Sequence, residues 1–324
     1  MGNVFLTRSI MKHLRVANLF LPDFRGKLQF IAEKYGLLAF NLLLRALRFR
    51  PNIAIFYTVD YVFLLNSLRS MKVKIIYDCV DETSAFSDRS EAGSTILKAE
   101  ENLVRKSSLT IASAKVLYEK IVKIKSNCIY IPNASDFGHF NKAAQTMKKP
   151  KEIETLKHPV IGFIGAIFDW IDTDLLCKMA QAHPEYSILL VGPVNSGLDE
   201  LKKHPNIVMV GAKNYQLLPK YLASMDVCLI PFKINKLTRA SNPIKMYEYL
   251  AAGKPVVSTA LPEICNNASE VVYIGKDRED FIKKVERVVN ETEDKAMISR
   301  RIDYARDNSW EKRVKTIEAL LRNI

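Results

Sequence analysis

A chain of 324 residues, 48% hydrophobic and 26% charged, is long enough for two globular domains and has the composition of a protein with a sizeable core. It carries 48 basic against 35 acidic side chains, and the excess is uneven: residues 1–150 hold 23 against 12, whereas residues 151–324 hold 25 against 23. No stretch reaches the roughly 20 apolar residues of a membrane-spanning helix, and no clean signal sequence opens the chain. The five separated cysteines and five histidines show no metal-ligand spacing, so a cytosolic protein with no metal centre is expected.

The basic first half reads either as a solvated face or as attraction to an acidic membrane surface or a phosphate-bearing substrate. Nucleic acid is not an expected partner, because no recognition helix or basic-aromatic interleave accompanies the charge. Residues 27–50 show leucine and phenylalanine at helical spacing with Lys and Arg at both ends. That is an amphipathic helix, facing either the core of the first domain or a membrane surface.

From there short apolar runs alternate with helical segments. "NIAIFYT" (52–58) and "VKIIYDC" (73–79) read as buried strands. A helix over 91–107 and strands over 109–113 and 128–132 follow. The lysine-rich stretch 141–159 breaks the pattern and is the linker candidate, which sets domains of 1–150 and 151–308. Alternation resumes with strands over 160–165, 187–192, 207–211, 227–232, 255–259 and 271–275, separated mostly by helices. Near-continuous apolar strands alternating with helices predict parallel sheets with helices on both faces, in two facing domains. Ligands of such sheets bind at the carboxyl ends of the strands.

"NPIKMYEYLAAGKPVVST" (242–259) is the densest signal. Asn242 suits a helix cap, Pro243 the first helical position, and Gly253 a left-handed stop, giving a helix of about ten residues. Its N-terminus offers backbone N–H groups and partial positive charge to a phosphate, and Lys245 adds a full charge in the first turn. Glu248 lies between Tyr247 and Tyr249. It is either an exposed helical glutamate or a buried carboxylate in want of partners such as ribose hydroxyls. Gly165 and Ala166, at the end of a strand, are small enough for a ligand to approach the backbone. Asp78, Asp81 and Glu82 cluster after a first-domain strand, as loop charge or as site residues. A Walker lysine and a GxGxxG turn are both missing.

These residues resemble a known family. "NPIKMYEYLAAGKPVVST" is similar to the donor-site signature of GT-B glycosyltransferases, family 4 of that class. "IYIPNASDFGHF" (129–140) is similar to the string closing their first domain, with Ala134 where glycine is usual. "NIVMVGAKNYQLLPKYLASMDVCLIPF" looks like the stretch supplying base contacts, and "SWEKRV" (309–314) like the start of a final helix, 309–324, that crosses back to the first domain. Together with "YDCVDE" and "GAIFDW", these strings look most like bacterial transferases of cell-surface polysaccharides, of the teichuronic-acid kind.

The resemblance implies a hexosyltransferase that moves a sugar from a nucleotide-sugar (UDP- or GDP-sugar) with retention of configuration and no obligatory metal or cofactor. Glu248 would hold the ribose, and Asn242, Pro243, Ile244 and Lys245 would meet the diphosphate. Gly165 and Ala166 would lie against phosphate or sugar, and Lys213, Asn214 and Tyr215 would frame the base. Asp78 would be the first-domain catalytic residue. The acceptor would be a lipid-linked or polysaccharide glycan, reached at the inner face of the membrane through the basic first domain.

The chain departs from the pattern in two places. The family's first paired glutamate falls at Ala240, and no phosphate-clamping Arg or Lys follows the glycine turn in "GAIFDWID". Arg239, Lys233 or Lys236 would then supply that charge. An epimerase of the same architecture, or a non-catalytic binding protein, are the alternative readings.

Overall fold

The computed structural model describes residues 51–83, 91–195, 198–291 and 294–324, with backbone only over 91–93. The amphipathic helix expected over 27–50 lies outside the described residues. The described residues divide into two compact units, one of residues 51–132 together with Ile317–Ile324, the other of Asn133–Thr316.

The first unit is built on four parallel strands in chain order: β1 Ile53–Phe56, β2 Lys74–Cys79, β3 Leu109–Ala112 and β4 Cys128–Tyr130. The connections are helical: a 3-10 turn Val59–Leu64 leading into α1 Leu65–Ser70, then α2 Glu91–Lys106 and α3 Lys115–Val122. All four residues of β3 are buried, as expected of an inner parallel strand covered on both faces.

The second unit opens with a one-turn helix, α4 Phe137–Phe140, and 3-10 turns Asn141–Ala144 and Lys151–Ile153. Its strands are β5 Val160–Ile164, β6 Ser187–Val191, β7 Ile207–Met209, β8 Val227–Ile230, β9 Val256–Thr259 and β10 Tyr273–Gly275. Between them run α5 Thr173–Ala182, α6 Asp199–Lys202, a 3-10 turn Tyr215–Leu217 with α7 Leu218–Ala223, α8 Lys236–Arg239, α9 Ile244–Ala251 and α10 Pro262–Asn267. Three longer helices, α11 Arg278–Asn290, α12 Lys295–Asp307 and α13 Trp310–Arg322, close the chain. The sheet order is β10-β9-β8-β5-β6-β7, all parallel. The chain starts in the middle at β5, runs outward through β6 and β7, then crosses to β8 on the other side. The switch point between β5 and β8 is where doubly wound sheets bind ligands.

The boundary between the units falls at 132/133, not at 150. Phe140, Ala143 and Ile153 are part of the second unit's core. Asn141 Nδ2 donates to the Ala251 carbonyl over 2.8 Å, and Ser135 bridges Ser309. The lysines of 141–159 signalled a solvated surface run rather than a linker, because a few well-spaced apolar residues are enough to anchor such a run.

The pairing at the switch point is short. β5 pairs with β6 as far as Ile164↔Val191, but with β8 only at Ile161↔Val227 and Gly162↔Cys228. Toward its carboxyl edge the sheet therefore parts between β5 and β8. The Tyr249 hydroxyl from α9 fills the parting, accepting from the Ile164 N–H (2.7 Å) and donating to the Ile164 carbonyl (3.3 Å). A strand that loses its neighbour must satisfy its backbone elsewhere, and here one side chain serves both groups.

Candidate nucleotide-binding site

Helix α9 follows β8 and begins at Ile244, with Pro243 in extended conformation at the cap and no side chain capping the terminus. Asn242 is thus not the cap that the sequence suggested. It is buried, its Nδ2 donates to Glu263 Oε2 over 2.7 Å, and its carbonyl accepts from Asn133 Nδ2, also at 2.7 Å. The proline ring already fixes the backbone entering the helix, so the asparagine is released to tie the preceding loop to α10. The helix runs eight residues and stops as expected at Gly253, whose φ of +71° suits glycine. An uncapped N-terminus at the carboxyl edge of a parallel sheet leaves partial positive charge there for an anion.

Glu248 is 5% exposed, which decides between the two readings of the sequence: it is a buried carboxylate. Lys245, one turn earlier on the same helix face, bonds its Oε2 at 2.6 Å. Burial pushes the Glu248 carboxyl up, and the charges of Lys245 and His139 pull it back. The partners of this group come from three segments. Asp136 caps α4 by accepting from the His139 N–H (3.0 Å). His139 Nε2–H donates to the Tyr215 carbonyl (3.0 Å), and its ring stacks on Tyr215 with centroids 4.4 Å apart. Burial raises the Tyr215 phenol, and the negative charges of Glu248 and Asp136 raise it further. Asp136, His139, Tyr215, Lys245 and Glu248 therefore form one cluster of ring faces and charges.

The expected base-framing loop divides. Tyr215 joins the cluster, while Lys213 pairs with Glu152 at 2.9 Å and Asn214 caps the 3-10 turn by accepting from the Gln216 N–H at 3.0 Å. The glycine turn after β5 is held tightly. A Cβ on Gly165 would meet the Phe163 ring at 2.6 Å, and one on Gly192 would lie 1.8 Å from the Gly165 carbonyl oxygen. Gly192 also has a φ of +153°. The two turns thus touch backbone to backbone, and their glycines serve that approach before any ligand.

Beyond Ala166 the loop is fastened on both sides. The Ile167 N–H donates to the Pro193 carbonyl (2.9 Å), Ile171 bridges Phe232, and Asp172 binds Arg278 through two bonds of 2.8 and 2.7 Å. Arg239, Lys233 and Lys236 are all exposed on the segment between β8 and α9. Among the described residues no group of three or more His, Cys, Asp or Glu is placed to hold a metal.

In the first unit, Asp78 lies one residue from the end of β2 and is half-buried, and burial pushes its carboxyl up to about 7. The acids beside it do not share one surface. Glu82 turns inward, and Lys120 bonds both Glu82 (3.1 Å) and the buried Glu100 (2.9 Å). Sequence reading missed Asp136, His139, Gly192 and Tyr249. "NASDFGHF" carried the first two openly, as an Asx cap three residues before a histidine.

Two Rossmann-like parallel-sheet domains define the GT-B fold of glycosyltransferases. Residues 158–291, which hold β5 to α11 and thus Glu248, match the family model of glycosyl transferases group 1. The chain is similar to TuaH of Bacillus subtilis (strain 168), which carries the provisional name of a teichuronic acid biosynthesis glycosyltransferase. The two are 29% identical over 273 residues, covering 79% of this chain and 68% of TuaH. Among solved structures, sucrose-phosphate synthase from Thermosynechococcus elongatus superposes with a TM-score of 0.73 at 15% identity, covering 96% of this chain and 82% of that one. Anabaena HepE in complex with UDP and glucose gives 0.72 at 17% identity, over 99% and 89%. At these identities the structural likeness establishes the fold.

Proposed function

We propose that this protein is a retaining glycosyltransferase that takes a sugar from a nucleotide-sugar and passes it to a lipid-linked or polymeric glycan of the cell surface. The observation that carries the reading is the buried Glu248, charge-compensated by Lys245, on a helix whose uncapped N-terminus lies at the switch point. The carboxylate accepts the two ribose hydroxyls, the helix start and Lys245 meet the diphosphate, and the Tyr215–His139 stack lies beside the base. UDP is the favoured nucleotide, since HepE has been solved with UDP, with UDP-glucose, and with UDP and glucose. No metal is assigned a part, because the helix terminus and the lysine offset the diphosphate charge. Asp78 is the catalytic candidate of the first domain.

Thermal-shift and calorimetric titration with UDP, GDP, CDP and dTDP test the site. A ligand at about 100 times its Kd stabilises the fold by about 2.7 kcal/mol. UDP is expected to give the largest shift, and Glu248→Gln to lose most of it; full retention of affinity in that variant would remove Glu248 from the site. NMR of the anomeric proton in the product distinguishes retention from inversion.

A non-catalytic nucleotide-sugar binder is the second reading, favoured by the lack of a basic residue in the loop 165–172. Tight UDP-sugar binding without release of UDP in the presence of any lipid-linked acceptor would select it. Action at the inner membrane face is part of the proposal. It predicts sedimentation with anionic liposomes that weakens as salt rises.

A further inference from the structure

In the first domain β1 ends at Phe56, paired with Tyr77 of β2, and the residues that follow this pair, Tyr57 just past the strand and Asp78, lie at the carboxyl edge of the sheet, close enough for the Asp78 charge to act on the phenol. On the face of β2 opposite Asp78, Tyr77 and Cys79 enter a satisfied network. The Tyr77 hydroxyl donates to Glu100 Oε1 over 3.1 Å, and Lys120 pairs with both Glu100 and Glu82. Tyr57 and Asp78 have nothing comparable. The Tyr57 hydroxyl is buried without a hydrogen-bond partner, and among the described residues none bonds the Asp78 carboxylate. Their mutual effect is unfavourable, because the Asp78 charge adds to burial in raising the phenol. A buried phenol with no partner, beside a half-buried carboxylate that no described residue bonds, is costly at a sheet's ligand-binding edge unless a ligand completes it.

We infer that Asp78 and Tyr57 form a hydroxyl-binding site for a sugar, in which a ligand hydroxyl donates to the carboxylate and the phenol donates to a ligand oxygen. One donor, one acceptor and, among the described residues, no cation paired with Asp78 suit a neutral vicinal diol and disfavour a phosphate. That the diol belongs to a glycan rests on the proposed function; that the pair holds a hydroxyl group does not.

The test uses the full chain and methyl glycosides of glucose, galactose, N-acetylglucosamine and glucuronic acid, screened by saturation-transfer NMR. At least one is expected to bind. Tyr57→Phe and Asp78→Asn are each expected to weaken the best binder about tenfold, the usual loss for a hydrogen bond to a charged group. Glu248→Gln keeps glycoside binding and loses the UDP shift, so failure of the nucleotide reading shows separately. The melting temperature of Tyr57→Phe supplies a second readout. Removing an unsatisfied hydroxyl leaves it unchanged or raises it, whereas removing a structural one lowers it. No binding by any glycoside, wild-type affinity in both variants, or a clear loss of melting temperature in Tyr57→Phe would overturn the inference.

Discussion

The carboxyl edges of the two sheets solve opposite problems. In the second domain the charged groups at the edge have internal partners, although the buried Asn242 Oδ1 has none. Glu248 has Lys245, Ile164 has the Tyr249 hydroxyl, and Asp172 has Arg278. In the first domain the edge keeps Tyr57 and Asp78 unmatched, one face away from a fully bonded network. A site for a charged ligand must hold its own charges steady when empty, or the fold would carry a buried ion alone. A site for a neutral ligand leaves bonds unmade, at the expense of stability.

Four substitutions press on that contrast. The largest effect is expected at Gly192, where alanine would drive a Cβ into the Gly165 carbonyl. A loss of about 4 kcal/mol in urea unfolding is expected, and a loss under 1 kcal/mol would mean the two turns are not packed as described.

Lys245→Met leaves Glu248 buried without its counter-ion and is expected to cost about 3 kcal/mol at pH 8. Burial raises the Glu248 carboxyl, more so without the lysine, so the protonated form is the one the fold tolerates. The loss should therefore shrink as pH falls toward 5. A pH-independent loss would mean the lysine contributes packing alone.

Tyr249→Phe orphans the Ile164 backbone at the parting of β5 and β8. About 2 kcal/mol should be lost, with faster hydrogen exchange at the Ile164 amide, and an unchanged exchange rate would refute the wedge.

The smallest effect runs the other way. Burial pushes the Asp78 carboxyl up to about 7, against about 4 in the unfolded chain, so its contribution is intact below pH 4 and is lost as pH rises through 7. A shift of that size sets a ceiling of about 4 kcal/mol, which water at this half-buried group reduces, so Asp78→Asn should stabilise by about 1 kcal/mol at pH 8, with no gain at pH 4. A destabilised variant would place Asp78 among the satisfied groups of the other edge.

Every strand of both sheets was legible as an apolar run, and the errors lie at the strand ends: "VVYIG" starts two residues before β10, while others run on too far. "VIGFIG", "SILLVG" and "VCLIPF" read one or two residues past the last paired positions, Ile164, Val191 and Ile230. The apolar run continues because those residues still pack on the core, while the backbone has already left the ladder to build the site loops. Glu248 stood out because its helix is strongly punctuated, yet its burial was not legible. Nothing in the spacing of 242–259 says that Asp136, His139 and Tyr215, brought in from two other segments, cover it. The partners of Lys213 and Asn214, Glu152 and the Gln216 N–H, were not legible either. The Tyr57–Asp78 pairing needed the register of β1 on β2, which two hydrophobic runs do not specify.

The Tyr249 hydroxyl has a bearing on engineering. Helix α9 is hung from strand β5 by a single phenol that grips both backbone groups of Ile164, so the helix start and the glycine turn keep their spacing as one part. Residues 242–259 could be exchanged with a relative's to test the nucleotide-binding role proposed for them. The graft would hold its geometry only if the donor segment brings a tyrosine at this place, or if the recipient's strand closes its own gap.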